Sequence, residues 1–92
     1  MQVFVDDESG YRQWKERNPR GFILNTARKP GPDYLILHRP TCPHLNRGGA
    51  TVHWTKHFIK VCSLQVEEIE AWVKATVPGT PRITRCMFCH RN

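Results

Sequence analysis

The chain has no acidic residue between Tyr34 and Ser63, although eight aspartates and glutamates occur elsewhere in its 92 residues. This stretch instead holds one tryptophan, four of the five histidines and four cations, which are Arg39, Arg47, Lys56 and Lys60. Positive charge interleaved with an aromatic ring is typical of a surface that binds a polyanion. Because the net charge is +6, we expect nucleic acid as the partner, although an anionic membrane surface or mere solubility would also account for basic charge.

Two further absences bear on the cellular compartment. No apolar run approaches the roughly 20 residues needed to cross a bilayer, and the first residues carry neither a basic leader nor a long apolar core. We therefore expect a cytoplasmic protein with no membrane contact. In that compartment, the four cysteines are expected to be reduced or metal-bound rather than paired in disulfides.

The sequence also lacks the motifs of several enzyme classes. It has no glycine-rich phosphate loop, no HExxH motif and no paired-carboxylate pattern of the catalytic kind. A cysteine nucleophile could be assembled from Cys42 with His38 or His44, but no orienting carboxylate lies nearby in the sequence. We therefore expect a binding domain and not an enzyme, with any nuclease or NTPase activity on other domains or chains.

Length and composition predict one nucleic-acid-binding domain over residues 1–92, which could also be the N-terminal domain of a longer protein. The pattern favours an α+β fold, with a small, mostly antiparallel sheet of three or four strands, two helices packed on it and irregular cysteine-containing loops. The predicted helices span 11–17 and 64–77, the second capped by Ser63. The predicted strands span 22–26, 34–38 and 51–62, with a short strand or a frayed start at 2–5. The first two of these form a wide hairpin.

The cysteine spacing predicts a metal site. Cys86 and Cys89 have the CxxC spacing with which two thiolates of one tight turn reach the same tetrahedral ion. Two further ligands would have to converge through the fold, from Cys42 and Cys62, with His44 and His90 as alternatives. We hypothesise one structural zinc, because a metal would stabilise so small a domain. In the alternative interpretation, Cys62 is an ordinary buried thiol and the CxxC pair is loosely placed near the terminus.

A set of motifs covers nearly the whole chain: Tyr11-X-X-Trp14, Asn18-Pro19-X-Gly21-Phe22-Ile23-Leu24-Asn25, Tyr34-Leu-Ile-Leu-His38-Arg39-Pro-Thr-Cys42, Trp54-Thr55, Phe58-Ile59-Lys60-Val61-Cys62, Leu64 through Trp72 and Cys86-X-X-Cys89. Together they resemble a small bacterial domain of modification-dependent (type IV) restriction systems. That domain occurs as a stand-alone protein or as the DNA-reading N-terminal domain of a McrB-like enzyme. The resemblance implies an α+β domain that binds duplex DNA carrying 5-methylcytosine, with the motor and nuclease on other domains or chains.

The resemblance carries over no binding residue by position, so the candidate DNA-binding residues come from charge and aromatic content. Trp54 or Tyr34 is expected to supply a flat surface for the methyl group of 5-methylcytosine, which lies in the major groove. Lys56 and Lys60 are expected beside that surface. The DNA backbone contacts are assigned to Arg28, Arg39, Arg47, Arg82 and Arg85, and Lys29 joins Arg28 as a cation pair at the hairpin tip that could enter a groove of the duplex.

Three alternative functions remain compatible with the same residues. A zinc-containing RNA or single-strand binding module would use the same cations and aromatics. A reader of another DNA modification, such as a phosphorothioate, would respond little to cytosine methylation. A protein-interaction module on a larger enzyme would show no salt-dependent binding to nucleic acid.

Overall fold

The computed structural model of the chain describes residues 1–46, 54–87 and 89. Within these residues, the chain forms two helices and one five-stranded sheet. The helices are α1 (Glu8–Arg17) and α2 (Val66–Thr76), and the strands are β1 (Gln2–Phe4), β2 (Phe22–Ala27), β3 (Leu35–His38), β4 (Phe58–Ser63) and β5 (Thr84–Arg85). The predicted α+β class is confirmed. The sheet has five strands and not the predicted three or four. The short strand expected at 2–5 is present as β1, whereas β5 has only two residues and leaves little periodic pattern in a sequence.

The strand order is β1-β4-β2-β3-β5. All neighbours pair antiparallel except β3 and β5, which are parallel. The predicted hairpin of β2 and β3 is present, with Leu24 opposite Leu37. Strand β2 also pairs with β4, with Leu24 opposite Val61. Strands β3 and β4 are therefore separated by β2 and are not neighbours.

The two helices cover opposite faces of the sheet. Ile23 and Leu24 are adjacent in β2, so their side chains point to opposite faces. Leu24 packs in a core with α2, through Ile69 and Val73. Ile23 packs in a second core with Tyr11 and Trp14 of α1, and with Phe4, Cys42, Leu45, Cys62 and Cys86. The second core fills only part of its face, which leaves the rest of that face available for a groove.

Short polar contacts set the helix boundaries. Asp7 caps α1, since its carboxylate accepts a hydrogen bond of 2.9 Å from the Gly10 amide. The N-cap of α2 is Gln65 and not Ser63, so the predicted cap is displaced by two residues. The Ser63 hydroxyl nevertheless accepts from the Gln65 amide at 3.0 Å. None of the helices in the described part of the chain is long and apolar enough to cross a membrane.

The predicted strand over 51–62 is wrong in its first part. Residues 51–53 lie outside the described residues, and residues 54–57 form turns and a bend before β4 begins at Phe58. The turn is attached to the start of α1. The Glu8 carboxylate accepts hydrogen bonds from the amides of Trp54 and Thr55, at 2.8 and 2.7 Å, and from the Thr55 hydroxyl at 2.6 Å. The period-two spacing of Trp54, Lys56 and Phe58 predicts a strand, but hydrogen bonds to a carboxylate 46 and 47 residues away fix a turn instead, and such a distant contact leaves no periodic signal in the sequence.

Replacing Ile69 with Ala should lower the free energy of unfolding by about 2–5 kcal/mol, because its side chain is fully buried between α2 and the sheet. Urea unfolding followed by circular dichroism measures the change. Leu64→Ala is the matched control, since Leu64 is 62% exposed and its truncation should shift the free energy by less than about 0.5 kcal/mol. Equal effects of the two substitutions would contradict the assigned core.

Candidate metal centre and adjoining groove

Four side chains from the β3 and β5 edge of the sheet converge on one point. The ligand atoms of His38, Cys42, Cys86 and Cys89 all lie within 4.8 Å of one another. The Sγ atoms of Cys42 and Cys86 are 3.8 Å apart, and Cys89 Sγ is 3.9 Å from His38 Nδ1. Metal–sulfur bonds of about 2.3 Å at tetrahedral angles place two thiolates about 3.8 Å apart. The group, called here the metal cluster, is therefore compatible with one structural metal ion.

Backbone hydrogen bonds explain how the chain presents these ligands. The Cys86 amide donates to the Leu37 carbonyl at 2.9 Å, which extends the pairing of β3 and β5 and places Cys86 beside His38. The loop after β3 turns tightly, since the Cys42 amide donates to the Arg39 carbonyl at 3.0 Å. The Asn46 side-chain amide donates to the Cys42 carbonyl at 2.9 Å. Cys42 is consequently held in place and almost fully buried.

Cys89 completes the cluster and receives a backbone contact of its own. The Arg39 amide donates to Cys89 Sγ at 3.3 Å. Burial raises the pKa of Cys89 to about 12; the Arg39 amide acts in the opposite direction, and the neighbouring thiols Cys42 and Cys86 raise the pKa further. A bound cation reverses that balance, because a thiol that coordinates a metal is deprotonated.

Cys62 lies outside the metal cluster, contrary to the predicted four-cysteine set, and His38 takes the fourth position. The reason is the strand order. Cys62 and His38 both pair with Ile23, from opposite sides of β2. They are thus separated by two strand spacings, about 10 Å. Cys62 is a fully buried thiol of the second core, and burial raises its pKa.

The spacing His38-X-X-X-Cys42 at a strand end is the pattern that could have identified His38. Sequence reasoning considered His38 only as the partner of a cysteine nucleophile. Of the two alternative ligands, His44 lines the adjoining groove, and His90 lies outside the described residues.

A groove of about 590 Å³ adjoins the metal cluster on the α1 side of the sheet. Its floor is a row of side chains at paired positions of β4, β2, β3 and β5, namely Lys60, Asn25, Ile36 and Thr84. His38 and Cys86 belong both to this lining and to the metal cluster. Among the described residues that line the groove, none carries a carboxylate. The other lining residues are Tyr34, His44, Leu45, Trp54, Phe58, Arg85 and Met87.

Aromatic rings form two sides of the groove. Tyr34 and Phe58 are in contact, with ring centroids 5.0 Å apart, and they are 38% and 40% exposed. Trp54 is half-buried and packs against the second core. The Lys15 ammonium lies 4.9 Å from the centroid of the Trp54 ring. Tyr34 and Trp54, the two residues expected to supply a flat surface, thus line the same cavity.

Lys60 is part of the groove floor and not a surface cation beside it. Lys60 is only 3% exposed. The ammonium donates to Asn25 Oδ1 at 2.7 Å and to the Trp54 carbonyl at 2.5 Å. Burial lowers its pKa to about 8. Charge and aromatic content did not identify Asn25 as a site residue, although an amide that follows the apolar run Phe22-Ile23-Leu24 marks a polar position in the predicted strand.

The other predicted DNA contacts are scattered. Two of the arginines make contacts within the protein. Arg28 forms a bidentate ion pair with Asp6 at 2.8 and 2.6 Å, which lowers the pKa of Asp6. The Arg39 guanidinium lies 4.3 Å from the centroid of the Phe22 ring. The remaining described cations, Lys29, Lys56, Arg82 and Arg85, are exposed. Of these, Arg85 lines the groove. Arg47 lies outside the described residues.

No protein-family model, curated protein or solved structure matches this chain.

The burial of Lys60 should make the free energy of unfolding depend on pH. Its pKa of about 8 in the folded chain is below the ordinary value of 10.5, so the unfolded chain binds more protons between these values. The free energy of unfolding should then rise with pH across this window, and Lys60→Met should abolish that contribution. The free energy of unfolding of the wild type minus that of Lys60→Met should therefore rise with pH across this window, by on the order of 3 kcal/mol.

Urea unfolding of both proteins at several pH values from neutral to strongly alkaline measures this difference. Subtracting the two curves cancels the contributions of other titrating groups. A constant difference across the window would contradict the burial of an ionisable Lys60.

Proposed function

We propose that this chain is a nucleic-acid-binding domain whose groove receives a nucleobase and whose metal cluster holds one structural zinc ion. The observation that carries the proposal is the groove itself, which combines aromatic sides, a floor with an ammonium and an amide, and a lining without carboxylates in the described residues. A flat, polar ligand attached to negative charge suits those three properties together.

Zinc is the metal that the donor set favours. Three thiolates and one imidazole form a Cys₃His set, which is common in structural zinc sites. Because the protein supplies all four ligands, no coordination position is left for a substrate, and the site is structural and not catalytic. The ion would join the loop after β3 to the segment after β5 and so support the wall of the groove that contains His38 and Cys86.

The size and lining of the groove support a nucleobase as the ligand. Small-molecule sites usually have volumes of about 300–1,000 Å³, and the groove, at about 590 Å³, is within that range. Stacking of a base on an aromatic side chain contributes about 1–3 kcal/mol. The exposed cations Lys29, Lys56, Arg82 and Arg85 would add salt-dependent contacts to phosphates.

Among nucleic acids, we propose duplex DNA with 5-methylcytosine as the ligand. The domain would recognise it as part of a modification-dependent restriction system. The resemblance of the sequence motifs to that domain type supports this choice. The aromatic surfaces of Tyr34 and Phe58 would favour a methyl group on the base. A base can reach the floor only when it is out of the stack. Cleavage and NTP hydrolysis belong to other domains or chains in this proposal.

A second candidate, a reader of RNA or single-stranded DNA, is favoured by one observation. The groove lies on the face of a sheet and presents aromatic rings, as in modules that stack unpaired bases. This candidate uses the same groove and differs in the expected preference for unpaired strands.

Fluorescence anisotropy with matched oligonucleotides tests the proposal. We expect the tightest binding to duplex DNA with 5-methylcytosine, weaker binding to the unmethylated duplex and to single strands, and a loss of affinity at higher salt. Tyr34→Ala and Phe58→Ala should each weaken binding by roughly 5- to 150-fold, since each removes a stacking surface. Leu64→Ala is the control, because Leu64 is exposed outside the groove.

Tightest binding to a single strand would favour the second candidate. Equal, weak binding to every oligonucleotide, with no effect of Tyr34→Ala or Phe58→Ala, would contradict the proposed groove and leave only non-specific charge.

Metal analysis of the purified protein tests the zinc site. We expect one zinc per chain, and one cobalt with a tetrahedral thiolate spectrum after exchange. Cys86→Ser should lose the metal and destabilise the fold, because structural zinc contributes directly to folding. Cys62→Ala should keep the metal, since Cys62 lies two strands away from His38. Loss of metal in Cys62→Ala with retention in Cys86→Ser would overturn the assigned ligands.

A further inference from the structure

The groove floor contains a pair of side chains that hold each other in one orientation. Lys60 donates to Asn25 Oδ1 at 2.7 Å and also to the Trp54 carbonyl. An ammonium can only donate, so the amide oxygen of Asn25 must face Lys60 and its NH₂ group must point away. That NH₂ group donates to the Tyr34 hydroxyl at 3.5 Å, which is a long contact. Both Asn25 and Tyr34 line the groove.

The floor therefore presents hydrogen-bond donors to a ligand. Asn25 offers its NH₂ group, and Lys60 retains a third ammonium proton beyond the two that are engaged. No carboxylate among the described lining residues supplies an opposing acceptor. A ligand edge with two adjacent acceptors matches this floor, whereas an edge with a donor at the same place faces N–H groups and leaves them unpaired, which is costly in a buried site.

From this geometry we propose that Asn25 and Lys60 are the specificity-determining pair of the groove and select a base edge with adjacent acceptors. The inference rests on the proposed function and names the base edge that the groove reads. In cytosine and 5-methylcytosine, O2 and N3 are adjacent acceptors. In thymine, N3 carries a proton, so O2 is flanked by a donor. The pair thus separates 5-methylcytosine from thymine, which has the same methyl group.

The orientation of the base follows from the same pairing. In the pyrimidine ring, C5 lies opposite C2. When O2 and N3 face Asn25 and Lys60, the methyl group on C5 therefore points away from the floor, towards the exposed rim that includes Tyr34 and Phe58. Recognition of the methyl group and recognition of the base edge are then divided between the rim and the floor.

The test compares two duplexes that differ at one position, with either 5-methylcytosine or thymine opposite guanine, together with the corresponding single strands. The wild-type protein should bind the 5-methylcytosine strand about tenfold more tightly than the thymine strand in both formats, as expected for a well-matched base contact. The thymine–guanine mismatch is easier to unstack, so the duplex comparison is biased against this outcome.

Asn25→Asp replaces the donating NH₂ by an acceptor of the same shape. We expect the preference for 5-methylcytosine to fall below about threefold or to reverse, because the carboxylate accepts from thymine N3. Gln13→Glu is the matched control, since it introduces the same charge on the exposed surface of α1 and should keep the wild-type preference. Urea unfolding and metal content of Asn25→Asp show whether the variant is folded.

Equal binding of wild-type protein to 5-methylcytosine and thymine would overturn the role of the pair while leaving the proposed groove intact. Absence of binding to any strand would instead refute the proposed function. An unchanged preference in folded Asn25→Asp would also overturn the inference, whereas a wild-type preference that Asn25→Asp removes and Gln13→Glu keeps would support it.

Discussion

The pairing of β2 with both β3 and β4 is the constraint on which the rest of the structure depends. Through Ile23, this pairing places His38 and Cys62 two strands apart, so that only His38 joins the metal cluster. Through Asn25, it aligns Lys60 and Ile36 in one row, which becomes the floor of the groove. A shift of one residue in either register would turn these side chains to the other face of the sheet. The metal cluster and the groove are thus two consequences of one arrangement of strands.

The buried ammonium of Lys60 shows how the fold accommodates charge within an apolar face. Desolvation disfavours the charged form and lowers its pKa to about 8. The Asn25 side chain and the Trp54 carbonyl compensate through hydrogen bonds. The Trp54 carbonyl is available because Glu8 holds the amides of Trp54 and Thr55 at the start of α1. The Glu8 carboxylate thereby positions Trp54, whose ring lines the groove, and the Trp54 carbonyl that accepts from Lys60 in the groove floor.

Part of this arrangement could be predicted from the sequence. Helix α2 and the β2–β3 hairpin follow from apolar periodicity and turn residues, and the CxxC spacing indicates two residues of the metal cluster. The choice between Cys62 and His38 depended on strand order, which periodicity does not encode. The burial of Lys60 and its contact with Asn25 depend on register, so a lysine in a basic stretch reads from the sequence as a surface cation. The short strand expected at 2–5 is β1, whereas the edge strand β5, with two residues, is too short to leave a pattern.

Nuclear magnetic resonance of the zinc-loaded protein, titrated with a duplex that contains one 5-methylcytosine, tests the central claim most directly. If the groove receives the base, the largest shifts should occur at the Asn25 side-chain amide, the Trp54 indole and the backbone amides of β3 and β4. Exposed cations far from the groove should show smaller, salt-dependent shifts. Large shifts confined to the opposite face, around Glu70 and Lys74 of α2, or no shifts at saturating oligonucleotide, would contradict the account.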